Sequence, residues 1–568
     1  MFSNPKPAIT LAALLLLTAC SGGDKAVVDE ITVDAASLDL SGADEKMLGA
    51  HFAVAPRAGS ESDTLRALTL LELDGADVSG ERVIDGSTVT YTDWRAQDGS
   101  SEVTAERVVL SGLHIVTGED GEPAATFDAL QADDLRAVDF EETTDADGNA
   151  QRRQTVEAGL SELVLVSPTP ELALDISRLL RGADEAQDET VGELTRDLDF
   201  RAMRLADFTA DVSDTDIDGK MSVAQVVVGN DADAGTLDLV VESVDFDWTV
   251  KNSPAPGSGS ASMKMDGMTA LGLNTDTVEE AQGGMGGLAG LISPGSEPPY
   301  RSIDFGAMRY LSDQFDLDFA GFEADSEASS RGLTMRSVLQ PMELSVKDAT
   351  GTPLAPYLEV LRENGMDSFT LKGSATTEID RRADRISYSD AMFELDEGLR
   401  ADCDYALTGT LAAAKALEES GVTEPDFSTA QSNEDISRLI EQMEAYQAAQ
   451  AEANANIRIE GGTCVIQDVA ENSFVTRAYA VASGITGRPV PVLKASAQGL
   501  VAMTSLAAPD PFQRGLADSV GSALIDFIGE PGQTLTLTLD PAEPVPLGAL
   551  QGDGSVEFEA MGISAKVE

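Results

Sequence analysis

Over most of its length the chain alternates apolar and polar residues with a period of two, in short runs broken by Gly, Asp, Asn and Pro. That period predicts antiparallel strands with one face toward a core and one toward water. The clearest are Thr104 to Val116, Met221 to Val228, Thr236 to Val250, Ser368 to Ile379 and Gln533 to Leu539. Aromatic residues make up only 5% of the chain, so the buried faces must rely on Val, Leu, Ala and Met. A thin core spread over a wide sheet is the expectation.

Three segments switch to helical spacing and share one signature. Thr169-Pro170 opens a stripe of Leu172, Ile176, Leu179 and Leu180, closed by Gly182. Thr352-Pro353 opens Leu354, Tyr357, Leu358 and Leu361, closed by Gly365, and Asp510-Pro511 opens Phe512, Leu516, Val520, Leu524 and Phe527, closed by Gly529. In each, a polar N-cap accepts an orphan amide, proline loses nothing at the first helical position, and glycine suits a left-handed C-terminal stop. Leu205 to Val227 and Leu371 to Phe393 also align loosely, each as strand, acidic turn, strand. Together these predict a degenerate helix-plus-hairpin unit. A fourth helix, amphipathic through Ile436, Leu439, Ile440, Met443 and Tyr446, is expected between Asn433 and Asn456, with its apolar face on the sheet. Gly283 to Pro299 reads as a loop or a cover over an apolar surface.

The first residues follow another pattern. Lys6 precedes an apolar run from Ile9 to Leu17 that ends in Leu17-Thr18-Ala19-Cys20. Such a run is too short to span a bilayer and suits the core of a signal peptide. The four-residue end resembles the lipobox of bacterial lipoproteins. The resemblance implies cleavage before Cys20 and acylation of its sulfur, giving a membrane anchor, and Ser21 after it implies sorting to the outer membrane; the periplasmic face is expected ahead of the cell surface. Ser21 to Asp34 is small and polar, as in a flexible tether. No later segment is expected to enter a bilayer core.

Charge narrows the partners. The chain carries 99 acidic and 38 basic residues for a formal charge of −61, spread along its length, which disfavours nucleic acid and anionic headgroups as ligands of the body. Besides Cys20 only Cys403 and Cys464 occur; both sit in strand-like sequence in an oxidising compartment, so a disulfide is expected, with two free buried thiols as the alternative. His51 and His114 are the only histidines, and no nucleophile elbow, Walker loop, zincin pair or CxxC is present, so no enzyme activity is expected. Asp214, Asp216 and Asp218 have the DxDxDG spacing of a calcium loop, but Gln225 stands where the bidentate glutamate belongs. The competing reading is a plain Asp-Gly hairpin turn.

The expected fold is mainly β: extended, curved antiparallel sheets built from degenerate helix-plus-hairpin repeats, with a few short capping helices and one inserted amphipathic helix. The segments are a signal peptide (1–19), a tether (20–34), an N-terminal β region (35–168), repeat 1 (169–351), repeat 2 (352–509) with a helical insertion (410–456), and a C-terminal helix with strands (510–568). The pattern weakly resembles AsmA-like strand-repeat envelope proteins, whose grooved sheets imply lipid handling; a lipid anchor in place of their N-terminal membrane helix is a departure. The expected function is a non-enzymatic, lipid-anchored binding or scaffold module for a lipid or an envelope protein. A surface adhesin or calcium-dependent interaction protein is the alternative, and a carboxylate hydrolase the second.

Overall fold

The computed structural model describes residues 26–27, 40–74, 78–98, 101–118, 121–144, 150–181, 200–213, 217–231, 234–251, 259–274, 298–347, 355–422, 433–507, 511–551 and 556–568. The fold is mainly β, 52% strand and 29% helix, with a large antiparallel sheet and a few short helices. It divides into two compact units, Met1–Leu273 with Asp304–Gln314, and Asn274–Ile303 with Phe315–Glu568.

The first unit begins with β1 (Ala26–Val27), α1 (Gly42–His51), β2 (Ala53–Val54) and α2 (Glu61–Leu70). Long strands follow: β3 (Val78–Asp85), β4 (Thr88–Asp98) and β5 (Ser101–Ser111), then a hairpin of β6 (His114–Thr117) and β7 (Pro123–Thr126). Next come β8 (Ala129–Thr144), β9 (Ala150–Val166), α3 (Pro170–Arg181), β10 (Ala202–Ser213), β11 (Ile217–Asp231), β12 (Thr236–Val250) and β13 (Ser260–Asn274). Beyond β14 (Ser302–Phe305), β15 (Met308–Ser312) pairs with β13, completing the order β3-β4-β5-β8-β9-β10-β11-β12-β13.

At its end near α1 this sheet is covered on both faces. Leu163 and Leu165 of β9 join one cluster running from Ala67 to Met265, which buries the α3 stripe of Leu172, Ile176, Leu179 and Leu180. Val164 and Val166, on the opposite face, join a second cluster with Leu48 and Phe52 at α1. That is why β9 reads as an unbroken apolar run there, not as alternation. Thr169 Oγ1 accepts from Leu172 N (3.3 Å) at the start of α3, and buried Trp94 donates through Nε1 to Leu180 O (3.2 Å) at its end. Both ends thus find partners for groups a helix leaves unsatisfied.

The second unit contains β16 (Phe315–Phe319), β17 (Phe322–Ala328), β18 (Gly332–Val346), α4 (Ala355–Glu363), β19 (Ser368–Asp380), β20 (Arg385–Leu395) and β21 (Leu399–Thr408). It continues with α5 (Thr410–Ser420), α6 (Asn433–Asn454), β22 (Arg458–Asp468), α7 (Phe474–Thr486), α8 (Val490–Ala507), α9 (Pro511–Gly529), β23 (Thr534–Leu539), β24 (Val545–Pro546) and β25 (Ile563–Val567). Both β16 and β17 pair with β18, and the ladder runs on as β18-β19-β20-β21-β22-β23-β25. Its buried apolar residues fall into four small clusters instead of one core. Along β19 almost every residue is half-exposed on both faces.

The aligned segments Leu205 to Val227 and Leu371 to Phe393 fall on matching antiparallel hairpins, β10-β11 and β19-β20. Some aspartates have a role beyond turns. Asp93, Asp134, Asp207 and Asp390 lie inside long strands with φ of 54, 50, 48 and 51°, where the ladder is interrupted. Aspartate tolerates the left-handed region better than most residues, and such irregularities bend a strand.

Several expectations need correction. Part of the supposed tether is pinned, since Ala26–Val27 pairs with Ala53–Val54. The apolar face of α6 packs on a helix: Tyr446, Ala453 and Met443 meet Ala413 and Leu417 of α5, because the insertion folds back on itself. Gly365 takes the left-handed position after α4 (φ 61°), but Gly529 is the last helical residue of α9 and Gly532 supplies the turn (φ 78°). Tyr357 points outward from α4. Helices α7 and α8 were not anticipated. Gly182, Thr352, Pro353, Leu354, Asp510 and most of Gly283 to Pro299 lie outside the described residues, as do the signal segment and Cys20.

Candidate functional site

Four strands of the second unit bring their apolar positions to one face. On β21 these are Leu399, Ala401, Cys403, Tyr405 and Leu407, since successive side chains alternate. A one-residue irregularity between Ala406 and Leu407 keeps the β22 partners on the same face: Ile466 opposite Ala401, Cys464 opposite Cys403, Gly462 opposite Tyr405, Ile459 opposite Leu407. Leu537 and Leu539 of β23 lie beside Cys464 and Gly462, and Ala565 and Ile563 of β25 beside those.

Helix α9 lies across this face and is anchored at both ends. Ala523, Leu524 and Phe527 pack on Leu535, Ile466 and Val567. Leu516 packs with Ile459, Leu539, Leu547 and Ile563. Between the two contacts a cavity of about 590 Å³ remains, roofed by Leu516 and Val520 and floored by Tyr405, Gly462, Cys464 and Leu537. Gly462 keeps the floor low, because a Cβ there would sit 2.7 Å from the Tyr405 Cβ. Asp404 also borders the space, but it alternates with Cys403 and Tyr405, and its carboxylate accepts from Asp390 N (3.0 Å). Tyr405 stands at the edge, 41% exposed, its ring stacked 4.4 Å from Tyr388. Burial holds both phenols above their ordinary pKa, and for Tyr388 the neighbouring Tyr405 adds to it. The volume falls in the range of small-molecule sites, and the lining suits an aliphatic or aromatic ligand.

The frame is tied down at each corner. Cys403 and Cys464 are joined by a disulfide with Cα atoms 4.1 Å apart, on the wall of the cavity. Buried Asp468 ends β22 and accepts from Ser473 Oγ (2.6 Å), Val475 N (3.1 Å) and Gly532 N (2.9 Å), which caps α7 and fixes the approach to β23. Asp384, in the β19-β20 turn, accepts from Leu411 N (2.7 Å) and Thr410 Oγ1 (3.2 Å) at the start of α5.

Of the calcium candidates, Asp214 and Asp216 lie outside the described residues. Asp218 opens β11 opposite Ser213, in a hairpin. Lys251 Nζ (2.6 Å) and Ser213 Oγ (2.9 Å) donate to it, and the Lys251 contact, with help from Ser213, lowers its pKa. Among the described residues no cluster of three or more His, Cys, Asp or Glu is placed to hold a metal ion. His51 Nε2 lies 3.3 Å from Asp238 Oδ2, and His114 Nε2 lies 2.7 Å from Arg57 Nη1. The sequence reading found Cys403, Cys464, Leu516, Val520 and Leu537 but not the space between them. Tyr405, Gly462 and Ile563 went unremarked.

A family model described as an uncharacterized protein matches residues 404–567. No curated protein matches the chain. The matched stretch contains every residue of the cavity wall except Cys403.

Proposed function

We propose that the chain is a lipid-anchored protein of the bacterial outer membrane whose second unit holds an acyl chain. The observation that carries the reading is the cavity beneath α9, where Leu516, Val520, Leu537, Leu539 and Ile563 converge with no charged side chain turned inward. A space bounded by carbon and sulfur rewards apolar surface and gives little hold on a sugar, a phosphate or a peptide backbone. The half-exposed sheet face running from β21 through β20 offers a path along which the rest of an amphiphile can lie. The anchor in this reading is Cys20, and the apolar lining supports a binding or carrier role.

The test is a titration of the purified full chain, bearing Cys20→Ser, with the fluorescent polyene fatty acid cis-parinaric acid. Saturable binding near one equivalent, strongly weakened but not lost on Val520→Trp, supports the reading. Absence of binding, or equal binding by the substituted chain, overturns it. Loss of labelled palmitate incorporation on Cys20→Ser checks the anchor separately.

A further inference from the structure

The acidic residues, 99 in 568, are spread along the chain, and their longest gap runs from Asn472 to Pro509, thirty-eight residues without an Asp or Glu. At the average density about seven would be expected. The same stretch forms α7 and α8, and its outer surface is apolar. Leu500 is 67% exposed, Met503 66%, Val492 48% and Ile485 45%, four of the ten large apolar residues left exposed in the described structure. On α8, Val492, Ser496, Gly499, Leu500 and Met503 fall on one stripe at helical spacing. Between the helices, Thr486, Gly487, Arg488 and Pro489 are all exposed.

The inner side of α8 is occupied. Lys494 Nζ donates to Gly529 O (2.8 Å) and lies 5.5 Å from the Tyr479 ring. Val501 sits against Gly521 of α9, where an added Cβ would be 3.3 Å away. The outward stripe is therefore not a core face left over from poor packing. Helix α8 already has a partner on its other side.

We propose that α7 and α8 form the face by which this unit docks on a lipid bilayer, lying in the headgroup region without crossing it. Among the described residues no helix is long and apolar enough to cross. A bilayer fits the charge pattern better than a protein does. An anionic membrane surface repels carboxylates, and this is the long stretch of an otherwise acidic chain from which they are missing, with Arg477, Arg488 and Lys494 as its only charges. Carboxylates elsewhere in the chain lose their influence beyond roughly 8 Å at physiological salt. Exposed aliphatic side chains on one helical face provide the attachment. The inference rests on the lipid reading in one respect: α8 packs on α9, so docking here would hold the roof of the cavity one helix away from the bilayer.

The test uses the full chain carrying Cys20→Ser, so that no acyl anchor contributes, mixed with vesicles of phosphatidylethanolamine and phosphatidylglycerol and separated by flotation. The expected result is binding that falls at least tenfold on Leu500→Asp with Met503→Asp. It is kept when the exposed Val83 of β3 is changed to Asp. A milder pair, Leu500→Ser with Met503→Ser, should weaken binding in the same direction if the Asp pair unfolds the helix, as judged by circular dichroism. Uptake of cis-parinaric acid should survive the α8 changes, so failure of the docking face and failure of the cavity reading are told apart. No flotation of the Cys20→Ser chain, or flotation of both Leu500/Met503 pairs equal to that of the Cys20→Ser chain alone, overturns the proposal. A dimer in sedimentation that dissociates on the same substitutions, without vesicle binding, also overturns it.

Discussion

Shrinking the cavity from its roof gives the sharpest test of the acyl-chain reading. At roughly 30 Å³ for a water-sized group, close to the space a methylene takes, a cavity of about 590 Å³ holds on the order of twenty such groups. Each methylene transferred from water contributes about 0.8 kcal/mol, close to fourfold in affinity. Saturated fatty acids should therefore bind about fourfold more tightly per added carbon up to roughly sixteen to eighteen, and then level off. Replacing Val520 by tryptophan adds about seven heavy atoms under the roof, the room of roughly three methylenes in a packed interior. The plateau should then move about three carbons shorter, and the longest ligands should lose about 2.4 kcal/mol, near sixtyfold. Displacement of cis-parinaric acid by a C8 to C24 series, below the critical micelle concentrations, reads both quantities. An unchanged plateau in the Val520→Trp chain would refute the reasoning, as would affinity that keeps climbing past twenty carbons, since neither is compatible with a cavity of this size.

Three further outcomes follow from the frame around it. Asp468→Ala strands two backbone amides and the Ser473 hydroxyl that it now accepts from, and should cost roughly 2–4 kcal/mol, with Asp468→Asn about half that; urea midpoints measure both, and a change under about 1 kcal/mol contradicts the assignment. Removing the Cys403–Cys464 bond, which spans 61 residues, should destabilise the second unit by about 4 kcal/mol on the loop-entropy relation; melting with and without reductant, or of the Cys403→Ala/Cys464→Ala chain, tests it. The Tyr388 and Tyr405 phenols are raised by burial, so their contribution is intact below the unfolded tyrosine pKa near 10 and is lost as pH climbs from there through the higher folded values. Tyr405→Phe should flatten the fall in melting temperature above about pH 10, and an unchanged slope would count against burial of this phenol at the mouth.

What the sequence discloses here depends on whether an element has one wet side. The α3 stripe and the TLTLTL strand were readable because their apolar positions recur at one period, and the hairpins at Leu205 and Leu371 because alternating runs flank an acidic turn. Helices α7 and α8 were not, because Val490 to Ala507 is apolar or small nearly all round and no period stands out. The mid-strand aspartates look like turn residues in one dimension, since the left-handed backbone that marks a bulge also marks a turn. The docking of α6 on α5 depended on two segments of the insertion finding each other, which neither stripe alone specifies. The cavity was the least legible feature. Its walls come from Cys403, Gly462, Val520, Leu537 and Ile563, and its existence is a matter of ångströms between elements far apart in the chain.

The disulfide has a consequence for how this part of the chain can change. Cys403 and Cys464 face one another on adjacent strands, and everything between Asp404 and Thr463 leaves and re-enters through that clasp. A peptide bond cut anywhere in between leaves both ends covalently joined: one band on a non-reducing gel, two after reduction. The helices α5 and α6 can therefore be nicked, lengthened or exchanged with the two strands still stitched edge to edge. In that sense they are an appendage that can be cut without letting go of the sheet, hung from the wall of the chamber it encloses.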